Sequence, residues 1–155
     1  MRKLTSYIML MAILLLAVPV SPVAASSSVE VVINVDIDYS EEPYTGQFTA
    51  SGPAVDAGII CATGSAVNVR HANTGWQSWR AYSFHVWKEL TCEDGSGTFI
   101  VKLEGRWVGE SGQGTWMIHS GTGDYSNLHG TGDAEAFFFE PWFGLDIYTG
   151  AVHSE

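Results

Sequence analysis

Five histidines, two cysteines and seventeen acidic residues are the groups in this chain with chemistry to offer. The histidines, at positions 71, 85, 119, 129 and 153, show neither the His-x-His nor the His-Glu-x-x-His spacing that brings two imidazoles to one metal. No metal and no cofactor is therefore expected. General acid–base work needs a titratable group on a desolvated inner face, where its pKa moves toward the working pH. His119, beside Trp116 and Met117, is the best single candidate, with Asp56 and His85 behind it. A lone strand histidine is more often a solvated surface group, so the reading leans away from an enzyme.

Two other patterns carry less than they promise. Asp36, Asp38, Glu41 and Glu42 supply the hard oxygen ligands that calcium prefers, but the loop glycine, the ligand spacing and the closing glutamate of a calcium loop are missing. A solvated acidic edge is the better reading. The Gly-x-Gly phrases lack the lysine of a phosphate-binding loop and the third glycine and helix of a dinucleotide site. The nine-residue echo between GTGDYSNLH and GTGDAEAFF has too few copies to be a calcium-binding β-roll.

Cys61 and Cys92 have thirty residues between them. In an oxidising compartment the favoured state is a disulfide, and a free nucleophilic thiol is the alternative. That compartment is expected from residues 1–25, which read as a signal peptide: Arg2 and Lys3, an apolar run from Tyr7 to Val20, and the small residues Val23-Ala24-Ala25 before the cut. The run is shorter than the roughly 20 residues of a spanning helix. A secreted domain of residues 26–155, periplasmic or extracellular, follows. Loss of Arg2 and Lys3 moves the formal charge from −10 to −12. That balance repels phosphate backbones and anionic lipid, so nucleic acid and membrane are excluded as partners of the mature chain.

The elements that must hold these groups are strands. Val29 to Tyr39 alternates, with Val29, Val31, Ile33, Val35, Ile37 and Tyr39 on one face and Glu30, Asn34, Asp36 and Asp38 on the other. Gly46–Gly52 reads as a second strand, and Ala54–Thr74 as a candidate short strand at Ala57–Cys61 with the rest a long loop tied by the disulfide. Trp76 and Trp79 precede a strand over Ala81–Thr91, whose faces both carry aromatics, so its buried side is undecided. Stacking on a sugar is one use of that tryptophan pair and core filling the commoner one. Phe99–Trp107, Thr115–His119, Ala134–Phe139 and Leu145–His153 complete the set. The phrases Gly95-Ser-Gly97, Gly112-Gln-Gly114, Gly121-Thr-Gly123 and Gly130-Thr-Gly132 read as hairpin punctuation. About eight strands, no helical period and a need to hide sheet edges predict a closed antiparallel β-barrel, with a β-sandwich as the alternative.

In such a barrel Lys102, Glu104 and Arg106 face outward, opposite Phe99, Val101 and Leu103. The expected lining is Phe99, Val101, Leu103, Trp107, Trp116, Ile118 and Tyr125, apolar and free of ionisable groups. Such a lumen grips without reacting, which points to binding of a small apolar or aromatic ligand. Phe137, Phe138 and Phe139 in succession imply cover on both sides, from a terminal segment or a neighbouring subunit. A structural or partner-binding role for the Phe137–Trp142 strip is a further alternative.

The phrases GSGTFIVKLEG, GQGTWMIHSGTGDYSNLHGTGD and FTASGPAVDAGIICATGS resemble those of secreted bacterial members of the allene oxide cyclase barrel-like group, whose superfamily includes the plant dirigent proteins. The resemblance spans about Phe48 to Asp133. It implies an eight-stranded barrel with a central apolar cavity, assembled as a homo-oligomer, and admits an isomerase, cyclase or dirigent-like activity. Where the plant cyclases place a first-strand glutamate two residues before an asparagine, this chain has Val32 before Asn34, which separates it from cyclase chemistry. The resemblance also matches Cys61 to a cavity cysteine, provided that its thiol is free.

Overall fold

The computed structural model describes residues 27–78, 81–139 and 142–155. The expected signal peptide lies outside them, as do Trp79, Arg80 and the side chain of Trp76, and with them the tryptophan platform. Eight strands follow in chain order: β1 (Val29–Asp38), β2 (Thr45–Ser51), β3 (Thr63–Ser78), β4 (Ala81–Cys92), β5 (Thr98–Val108), β6 (Ser111–Gly121), β7 (Leu128–Phe139) and β8 (Phe143–Ser154). Each pairs antiparallel with the next, and β8 pairs back on β1 from Val29↔Val152 to Asp38↔Phe143. The sheet is thus a closed barrel with no free edge, and the sandwich is excluded.

Alternation sends one residue in two to the lumen. On β1 these are Val31, Ile33, Val35 and Ile37, all buried, as the sequence pattern requires. β5 contributes Phe99, Val101, Leu103 and Trp107, and β6 contributes Trp116. Trp116 is among the largest fully buried side chains, and its Nε1 donates to the carbonyl of Thr149 at 3.2 Å. Truncating so large a buried ring costs about 3–5 kcal/mol in proteins generally.

Two expectations are corrected. Ala54–Thr74 is not a long loop around a strand at Ala57–Cys61: α1 (Pro53–Asp56) follows β2 after Gly52, residues 57–62 carry no strand, and β3 begins at Thr63. Interrupted polarity in Asn68-Val-Arg-His71 hid that strand, because a bulge between Asn68 and Arg70 breaks its alternation. The paired glycines are not all turns either. Gly95 and Gly97, with φ of 78° and 148°, do turn the chain from β4 to β5. Gly112, Gly114, Gly130 and Gly132 lie within β6 and β7. A Cβ on Gly132 would stand 2.7 Å from Trp116 Nε1, and one on Gly112 would stand 2.8 Å from Trp107 Cε3. These glycines make room for indoles inside a narrow barrel.

The end where β2, β4 and β6 finish is closed. Phe48 meets Phe99 edge-on at 5.9 Å between centroids, Phe99 meets Tyr125 at 5.4 Å, and Ala54 of α1 is fully buried. The Cys61–Cys92 disulfide joins the start of β3 to the end of β4 there. Neither cysteine is a free thiol, so neither can serve as a cavity nucleophile.

Candidate functional site

The opposite end of the barrel holds a cavity of about 220 Å³. Tyr39, Tyr44, Tyr82, Trp107 and Phe138 form much of its wall, with Phe84, Val86 and Leu103 deeper. The rings brace one another. Phe138 packs on Tyr39 at 5.2 Å and on Trp107 at 4.9 Å, and Trp107 Nε1 donates to the Gly109 carbonyl at 2.9 Å. A flat molecule entering here would meet ring faces and edges that are already positioned.

The floor is polar, which the sequence reading did not foresee. Tyr82, Phe84, Val86, Lys88 and Leu90 are the inward row of β4, and Gly144, Asp146 and Tyr148 are that of β8. Lys88 Nζ lies 2.8 Å from Asp146 Oδ2, with side-chain exposures of 1% and 8%. Tyr148 donates its hydroxyl to the same carboxylate oxygen at 2.9 Å, and Lys88 Nζ donates to the Tyr39 hydroxyl at 3.5 Å. The lumen is therefore not free of ionisable groups. Outward orientation holds for Lys102, Glu104, Arg106, Asp36 and Glu30, but a lysine and an aspartate face each other across the inside.

Burial by itself lowers the Lys88 pKa, but Asp146 and Tyr39 outweigh it, and the ammonium titrates above the ordinary lysine value. Burial, then the neighbouring Asp146 charge, pushes the Tyr148 phenol well above its usual pKa. Burial raises Tyr39 also, against the pull of Lys88. At neutral pH the floor is an ammonium–carboxylate pair flanked by two neutral phenols. Beside it, Asn68 Oδ1 is buried and makes no hydrogen bond among the described residues.

The acid–base candidates of the sequence stand elsewhere. His119 is exposed on the outer wall of β6, because Trp116 and Ile118 take the inward places. Asp56 is exposed at the end of α1, whose buried residue is Ala54. His85 faces outward beside Glu104 at 3.2 Å. Of the expected lining residues, Leu103 and Trp107 reach the cavity. Phe99, Val101, Trp116 and Tyr125 fill the closed half as core, and Ile118 packs against them. Lys88 was missed because both faces of β4 are aromatic. Cys92, of the same parity and buried with its partner Cys61, was the available signal that the even-numbered face points in.

A wider surface depression over β1, β7 and β8 is lined by Glu30, Pro53 and Asp133 among others. It has no buried ionisable group, and the lumenal cavity is the stronger site. Phe139 and Phe143 on the outer wall and Trp142 before β8 are exposed, so the expected outside cover of the Phe137–Phe139 run is not supplied by the described residues. Phe138 points inward to the cavity. No group of three metal-binding side chains occurs among the described residues, and no helix there is long and apolar enough to cross a membrane. No protein-family model, curated protein or solved structure matches the chain.

Proposed function

We propose that this barrel binds a small aromatic or apolar molecule in the cavity at its open end. One observation carries the reading: an aromatic-walled lumenal cavity of about 220 Å³ ends on buried polar groups that are already fixed in place. Ligand sites are typically such concave apolar spaces with a few convergent polar atoms. The volume is below the 300–1,000 Å³ of drug-sized pockets and above the roughly 150 Å³ that admits benzene, so the ligand has one or two rings. Resemblance to the allene oxide cyclase barrel-like group supports the same kind of occupant, and export through a signal peptide would put the protein outside the cytoplasm.

The test is a titration of tryptophan fluorescence with simple phenolics, since Trp107 forms part of the cavity wall. Wild-type protein should show saturable change. Ala136→Phe, which adds a ring at the cavity wall, should abolish it while keeping the melting transition. Equal binding by the variant would locate the ligand elsewhere and end this reading.

A second reading is favoured by the position of Lys88 and the Tyr39 hydroxyl. An isomerase or cyclase needs a donor to polarise a carbonyl and a base to take a proton: Lys88 and the Tyr39 hydroxyl are the donors at the cavity floor, and the Asp146 carboxylate, which lines the same cavity, is the group that would take the proton. Hydrogen–deuterium exchange at the carbon next to a bound ketone's carbonyl, followed by NMR, should be faster than in buffer and slowed in Tyr39→Phe. Exchange at the buffer rate would leave binding as the whole function.

A further inference from the structure

Resting on the cavity as the binding site, we infer that its ligand is uncharged and carries a carbonyl acceptor beside an N–H or O–H donor. The argument is an accounting of charge and hydrogen bonds at the floor. An ammonium has three N–H donors. Two of those on Lys88 have partners, Asp146 at 2.8 Å and Tyr39 at 3.5 Å, which leaves one for an incoming oxygen. Tyr39 accepts from Lys88 and so keeps its own proton to donate. The floor therefore offers donors to a single acceptor atom of the ligand. Asn68 lines the cavity, and its Oδ1, buried and without a hydrogen bond among the described residues, is an acceptor waiting for a donor. A buried oxygen left in that state is costly, and a ligand that supplies the missing N–H or O–H recovers the loss.

Charge selects further. Asp146 already neutralises Lys88 inside the barrel, so the ligand site is not an unbalanced cation seeking an anion. A carboxylate brought into the cavity would shed its water and leave a buried negative charge next to the aspartate. A neutral cation-free, anion-free head group meets neither cost. Amides, lactams and hydroxy-ketones on one or two rings fit this description; aromatic acids and plain hydrocarbons do not.

Three probes of nearly equal shape separate the cases: benzamide, benzoate and toluene, each titrated calorimetrically into the intact protein at neutral pH. Benzamide is expected to bind about 10-fold or more tightly than either of the others, the size of roughly one to two net hydrogen bonds. In Asn68→Ala the ratio of benzamide to toluene affinity should fall toward one, with toluene still bound. The toluene value also reports whether the variant's cavity is intact. Benzoate binding tightest would overturn the inference and leave the cavity as an anion site. Toluene equal to benzamide would overturn it and leave a purely apolar one. If none of the three binds, the cavity is not the site and the proposal on which this one rests falls as well.

Discussion

Lys88 on β4 and Asp146 on β8 face each other across the barrel lumen, 2.8 Å apart and almost wholly removed from water. In a closed barrel of eight strands, β4 and β8 lie on opposite walls, so this pair bridges the interior from side to side. It both ties the walls together and sets the polarity of the cavity above it.

Breaking the pair from one side should be costly. Lys88→Met leaves Asp146 buried without its counter-charge, and a loss of about 3–5 kcal/mol is expected in urea unfolding. Lys88→Met combined with Asp146→Leu should recover most of that. A double variant as weak as the single one would mean that the pair does not act as a unit.

Alkaline pH should unfold the protein earlier than its composition suggests. Lys88, Tyr148 and Tyr39 all hold their protons more firmly folded than unfolded. Their contribution is complete below the unfolded values, about pH 10, and is lost as pH rises through the folded ones. Stability measured from pH 8 to 11.5 should fall above about pH 10, and less steeply in Tyr148→Phe.

The glycines inside β7 and β8 should resist substitution. A Cβ at Gly132 or Gly150 would come within 2.7 or 2.9 Å of the Trp116 ring, and closer still to the neighbouring strand. Gly132→Ala is expected to lower stability by about 1–3 kcal/mol, as overpacking does. A Trp116→Phe background should soften the loss only in part, because the nearest clash is with the backbone carbonyl of Thr149.

Loss of the disulfide should cost about 3–4 kcal/mol on the loop-entropy account, for a sequence separation of 31 residues. Equilibrium unfolding of Cys61→Ala/Cys92→Ala against wild type measures it. An unchanged midpoint would show that the closed end is held by Phe48, Phe99 and Tyr125 alone.

The barrel was legible in the sequence because β1 and β5 alternate cleanly, and a clean alternation fixes both the element and its buried face. The cavity was not. On β8 the odd-numbered row, Leu145, Ile147 and Ala151, is more apolar than the even row of Gly144, Asp146 and Tyr148, yet it is the even row that points in. Hydropathy alone does not mark the inner face there, because Asp146 is inside only by virtue of Lys88, and the partner sits fifty-eight residues earlier on another strand. A buried ion pair is a property of two positions at once, and no local pattern reports it. β3 was lost for a different reason, since its bulge at Asn68 and Arg70 resets the period that would have announced a strand.

The most direct test of the cavity as the ligand site is a heteronuclear NMR map of the protein saturated with benzamide. Shifts are predicted at Tyr39, Asn68, Lys88 and Trp107, with Phe99 at the closed end and Phe143 on the outer wall unmoved. Shifts gathered on the outer wall, or none at the cavity residues, would contradict the account.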